Sequence, residues 1–67
     1  MLTVTVNGKP EILEHAMSIA EYLQNQDYDT KLVVIEWNFT TYPREEWPRI
    51  LLEDGGNLEI IKIVGGG

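Results

Sequence analysis

The group with the clearest chemical potential in this sequence is its end. "IVGGG", Ile63 to Gly67, closes an apolar run with three glycines and an α-carboxylate. A carboxylate is a poor electrophile. Its oxygen can nevertheless attack the α-phosphate of ATP to form an acyl adenylate, from which a sulfur or nitrogen nucleophile displaces AMP. For that to happen inside another enzyme the end must thread a narrow channel, and glycine has no side chain to block it. Three extended residues reach about 10 Å, at roughly 3.3–3.6 Å each. No residue from Ile63 to Gly67 carries a charged side chain that would repel an anionic nucleotide. The competing reading is an inert, frayed end of the same composition.

The other candidates do not assemble. His15 is the only histidine, with no nucleophile placed for it to serve, and reads as a surface residue. Glu45-Glu46 and Glu53-Asp54 are neighbours in sequence, and such side chains do not converge on one atom as a general acid and base must. Gly55-Gly56 precedes a strand rather than a helix, so it is no phosphate loop. Without cysteine the chain has no disulfide, thiolate metal ligand or thiol nucleophile.

Eleven acidic side chains against five basic ones give a net charge of -6. Nucleic-acid binding needs a basic stripe, so no nucleic-acid partner is expected. The acidity suits docking onto a basic protein surface, and equally serves solubility. The apolar runs "LVVI" and "IIKIV" are too short to span a bilayer. Met1-Leu2-Thr3-Val4 lacks the basic and apolar regions of a secretory leader. The expectation is a cytoplasmic protein without a membrane partner, monomeric when free.

What must position the tail is one small domain, residues 1–64, with 65–67 as a flexible extension. Leu2, Val4 and Val6 share one face of a strand, and Asn7-Gly8 suits the positive φ of a type I′ hairpin turn. Pro10 cannot donate to a ladder, which places the returning strand, Glu11 to Glu14, at a sheet edge. Ser18 with Glu21 forms a capping box, and Met17 with Tyr22 a hydrophobic staple. The short helix that follows turns Ile19, Tyr22 and Leu23 to one face. "KLVVIEWN", Lys31 to Asn38, is a strand with apolar residues on both faces. "NFTTYPREEWPRILL" reads as irregular, with one helical or 3₁₀ turn in "REEW" after Pro43. "EDGGN" is a turn, and "LEIIKIV", Leu58 to Val64, the last strand.

This order predicts an α+β fold: a mixed sheet of four to five strands with one short helix on one face. The ubiquitin-like β-grasp has this order and length. In the last strand Leu58 and Ile60 point one way, Ile61 and Ile63 the other. If the helix covers the first pair, the second lies on a bare face beside the tail and is a partner-docking patch; the competing accounts are strand propensity alone, or a last strand packed the opposite way round. Trp37 and Trp47 read as core or rim residues, Trp47 the more exposed. Arg44 and Arg49 are rim candidates for partner contact.

Val33 to Gly67, with "EWN", "PREEWP", the Gly-containing turn before "LEI" and the terminal "VGGG", resembles the second half of ThiS, the sulfur carrier family of thiamine biosynthesis. The first half is similar in layout, with "VNGK" and the capped helix. The resemblance implies a β-grasp carrier that is a co-substrate rather than an enzyme. Its terminal carboxylate would be adenylated by a ThiF-like adenylyltransferase using ATP and magnesium, with no cofactor bound stably to the carrier. Conversion to a thiocarboxylate would follow, and sulfur would pass to the thiazole ring in a ThiG-like thiazole synthase. Gly67 would then bear the adenylate and the sulfur, Gly66 would complete the diglycine, and Gly65 would add reach.

Two departures concern loops. Phe39 follows Asn38 where a glycine turns more easily, and Gly56 stands where similar sequences often carry an acid. The molybdopterin synthase small subunit resembles the chain in fold, but usually has a proline-containing stretch before its glycines, absent from "IKIVGGG". Sulfur carriers for tRNA thiolation or amino-acid synthesis, a protein-conjugating tag, and a non-carrier binding module complete the alternatives.

Overall fold

The computed structural model describes residues 1–64. Strands β1 (Leu2–Val6) and β2 (Lys9–Leu13) are followed by helix α1 (Ile19–Asn25) and a 3₁₀ turn (Thr30–Leu32). Strands β3 (Val33–Trp37) and β4 (Thr40–Tyr42), a 3₁₀ helix (Arg44–Arg49) and strand β5 (Asn57–Lys62) complete the order. The sheet runs β2-β1-β5-β3-β4. Its β1–β5 pair is parallel and the other three are antiparallel. This is the expected α+β, β-grasp arrangement, with all five strands present.

The first hairpin follows from its turn. Asn7 and Gly8 take φ of 50° and 82°, matching the twist of the flanking strands. Pro10 sits in β2, which is an edge strand, so its missing N–H leaves no gap in the ladder. The strand begins at Lys9 rather than Glu11, because a two-residue turn starts pairing at once, Val6 opposite Lys9.

Ser18 caps α1, its Oγ accepting from the Glu21 N–H at 3.0 Å. Only this half of the capping box forms among the hydrogen bonds of the described residues. The seven-residue helix is too short to persist alone. It is held by burying Ile19, Tyr22 and Leu23 against Val4, Ile35 and Leu58 of the sheet. Each such fully buried aliphatic side chain contributes about 1.5–3 kcal/mol. Tyr22 also donates its hydroxyl to Glu11 Oε1 at 2.9 Å, tying the helix to the edge strand. At the other flank Ile19 N–H donates to Ile50 O and Leu52 N–H to Met17 O, stitching the helix start to the chain leaving the 3₁₀ helix.

Four further expectations are corrected. The third strand starts at Val33, not Lys31, because Asp29 accepts from the Lys31 N–H at 3.0 Å and winds Thr30–Leu32 into a 3₁₀ turn. "NFTTY" is a hairpin and not irregular: Asn38 and Phe39 both take positive φ, 50° and 69°, and β4 pairs back on β3. Asn38 tolerates this because the neighbouring strand holds it, its N–H donating to Asn57 O and its Oδ1 accepting from Asn57 N–H. Trp47 is buried as deeply as Trp37, since its Nε1–H donates to the Tyr42 carbonyl at 2.9 Å and both its ends are thereby satisfied indoors. The last strand also ends at Lys62, two residues before Val64.

Candidate functional site

The site is the departure point of the chain's end and the sheet face beside it. Strand β5 is central, parallel to β1 and antiparallel to β3, so the segment leading to the tail is anchored on both sides. The last described backbone bond runs from Ile63 N–H to Leu32 O at 2.7 Å. Beyond it Val64 is 87% exposed. The 3₁₀ turn that shortens β3 is therefore also what presents Leu32 O to the end of β5. Gly65, Gly66 and Gly67 lie outside the described residues, and with them the expected boundary at residue 65.

Period-two alternation then sorts the side chains. Leu58 and Ile60 point into the core, Ile61 is 48% exposed and Ile63 50% exposed. The expected bare face exists. Cross-strand register extends it: Val34 is the partner of Ile61, and Leu32 carries the carbonyl that holds Ile63. Leu32 is 52% exposed. The apolar stripe thus contains Leu32 and Val34 as well as Ile61 and Ile63. Sequence reasoning missed the two β3-side residues. The apolar residues on both faces of "KLVVIEWN" were the available signal, but only the register says which of them meets Ile61.

Two grooves flank Val33. One, of about 450 Å³, is lined by Asp27, Tyr28, Asp29, Leu32, Lys62 and the Ile63–Val64 segment. Lys62 Nζ lies 5.7 Å from the Tyr28 ring centroid, a cation–π contact that steadies the strand end. The other, of about 320 Å³, runs along the β4 edge and includes Lys31, Val34, Thr41 and Arg44. The structure therefore brings Arg44 to the side of the stripe. Arg49 lies at the far end of the 3₁₀ helix, next to the Ile50 that bonds to α1, and lines neither groove.

Nothing in these surroundings converges for catalysis. His15 is exposed, and among the described residues no three His, Asp or Glu side chains gather. No helix among them is long and apolar enough to cross a membrane.

The ThiS family model matches residues 4–67. The chain belongs to the ThiS family. Its relatives include the uncharacterized protein ycf40 of Porphyra purpurea, 30% identical over 66 residues, 98% of this chain and 93% of that one. The thiazole synthase of Paramagnetospirillum magneticum is 26% identical over 66 residues, 98% of this ThiS-family chain but 20% of the synthase. Among solved structures, the crystal structure of the thiamine biosynthesis protein ThiS from Geobacter metallireducens superposes with a TM-score of 0.85 at 28% identity, covering 98% of this chain and all of that one. The solution structure of the same ThiS protein gives a TM-score of 0.81, covering 98% of this chain and 88% of that one.

Proposed function

We propose that this ThiS-family protein is a sulfur carrier of thiamine biosynthesis whose reactive group is the Gly67 carboxylate. The observation that carries the reading is the family match running through residue 67, on a chain whose last described residues are exposed and uncharged beyond Lys62. In the first step a carboxylate oxygen of Gly67 attacks the α-phosphate of Mg·ATP in a ThiF-like adenylyltransferase. Pyrophosphate leaves and an acyl adenylate forms. Sulfide-level sulfur, HS⁻ supplied by a separate donor, then adds to the acyl carbon, AMP departs with the bonding electron pair, and loss of the sulfur's proton leaves a thiocarboxylate. The protein is a co-substrate throughout, and ATP and magnesium belong to the activating enzyme.

A ThiG-like thiazole synthase is the proposed acceptor. Support comes from the match to a segment of a thiazole synthase chain, which is the arrangement expected if carrier and synthase act on one another. Tethering would raise their effective concentration without any new contact. Glycines at 65 to 67 leave the acyl carbon unhindered, and Ile61 and Ile63 offer the face on which either enzyme docks.

Intact-mass spectrometry tests this. After incubation with ATP, magnesium, a sulfur donor and the ThiF-like enzyme, the protein should gain the mass difference of one sulfur replacing one oxygen, localised to Gly67. A protein that stays at its starting mass, while a known ThiS substrate of the same enzyme is loaded, would sink the reading.

A further inference from the structure

The bare sheet face carries a feature that fold stability alone does not explain. Glu36 on β3 and Glu59 on β5 are direct cross-strand partners, one residue pair along from Val34 and Ile61 on the same face. Like charges placed opposite one another destabilise a sheet. On this side Lys31 and Arg44 line the groove along the β4 edge with Val34 and Thr41, and among the described residues neither donates a side-chain hydrogen bond to Glu36 or Glu59. The register puts Lys9 opposite Val6 and Lys62 opposite Val33, both on the helix-covered side, while Thr41 stands opposite Glu36. Neither carboxylate takes part in a side-chain hydrogen bond among the described residues. Both residues are only half-exposed, so the charges are less screened than at a loop tip.

We propose that the Glu36–Glu59 pair and the adjoining Leu32–Val34–Ile61–Ile63 stripe form one docking surface. Its occupant is a partner protein that sets a lysine or arginine between the two carboxylates and apolar side chains on the stripe. The inference rests on the carrier reading and makes the activating adenylyltransferase that partner. A cation shared by two half-buried carboxylates removes their repulsion only in the complex, so the pair gives selectivity and speeds encounter. It also disfavours a second copy as the occupant, since stacking two such faces would set glutamate pairs against each other. The stripe is continuous with the point where Ile63 leaves the sheet, so a partner seated here holds the tail's root beside its own reactive site.

The test uses the full chain with the ThiF-like adenylyltransferase in an ATP–pyrophosphate exchange assay, alongside thermal unfolding of each carrier variant. For E36Q/E59Q, KM for the carrier should rise about tenfold at low salt with kcat unchanged, and the gap should close at high salt. The same variant should melt about 2–5 °C higher, because the repulsion is gone. E59K, which creates an opposite-charge pair with Glu36, should be at least as stable and weaker still in KM. An unchanged KM in E36Q/E59Q overturns the proposal, as does a raised KM accompanied by a lower melting temperature. A wild-type protein that dimerises through this face would assign the surface to a second copy and overturn it too. If the wild type is not adenylated at all, the carrier reading falls and this inference with it. Adenylation that is indifferent to both glutamates removes this inference alone.

Discussion

Gly56 packs against the Trp37 indole: a Cβ added there would overlap the ring at Cη2. This glycine is thus required by its neighbour and not by its own backbone angle. Trp37 is buried at the end of β3, and the Gly56 carbonyl accepts from Thr5 N–H, so neither side can retreat. Gly56→Ala should lose about 1–3 kcal/mol of stability, the usual range for overfilling a packed site. Urea unfolding monitored by tryptophan fluorescence measures it. An unaltered midpoint would show that the ring moves aside freely.

Phe39 presents the opposite case. It holds a φ of 69° while 81% exposed, and its side chain contributes no burial in return. The left-handed conformation costs roughly 1–2 kcal/mol for a residue with a Cβ. Phe39→Gly removes that strain but adds chain entropy to the unfolded state, leaving a net gain of about 0.5–1 kcal/mol. Chemical denaturation of the variant should show a later midpoint with an unchanged slope.

Tyr22 links stability to alkaline pH. Burial first, then the hydrogen bond and charge of Glu11, hold its phenol well above the ordinary value of about 10. A raised pKa means the folded state keeps the proton that the unfolded chain releases. The contribution is therefore complete below pH 10 and is lost as pH rises above it. Tyr22→Phe should cost about 0.5–1.5 kcal/mol at neutral pH from the lost bond to Glu11. It should also flatten the decline of stability above pH 10. Melting temperatures measured from pH 7 upward in both proteins provide the check, and parallel curves would refute the assignment.

The proposed function separates tail from body. Deleting Gly66 and Gly67 should leave stability within about 0.5 kcal/mol of wild type, as for changes away from packed features. Sulfur loading should fall to zero. Ile61→Asp should keep the fold, because the side chain is half-exposed on the bare face, yet raise KM for activation by tenfold or more. The comparison of the two variants distinguishes loss of the reacting group from loss of docking.

Local signals in the sequence were sufficient wherever a residue's chemistry acts on its immediate neighbours. Asn7-Gly8 dictated a hairpin, Pro10 an edge, Ser18 a helix start, and the alternation in "LEIIKIV" a buried and a bare side. Local reasoning failed where a distant partner overrode propensity. Phe39 argued against a tight turn, but Asn38 is clamped by Asn57 from another strand. Trp47 lay among charges and prolines in sequence, yet the Tyr42 carbonyl gave its indole N–H a buried partner.

By itself the sequence determined the α+β class, the helix with its inward face, the family resemblance and the glycine end as the group to watch. Those depend on composition, on periods of 2 and 3.6, and on short motifs, all carried within a few consecutive residues. Only the tertiary structure decided that β4 exists, that Gly56 must stay a glycine, and that Glu36 faces Glu59 beside Val34 and Ile61. For β4 the reason is the clamp that Asn57 places on Asn38 from another strand; for the Glu36–Glu59 pair it is that register between strands more than twenty residues apart is set by the whole core closing at once, and a one-residue slip would turn those side chains to the other face.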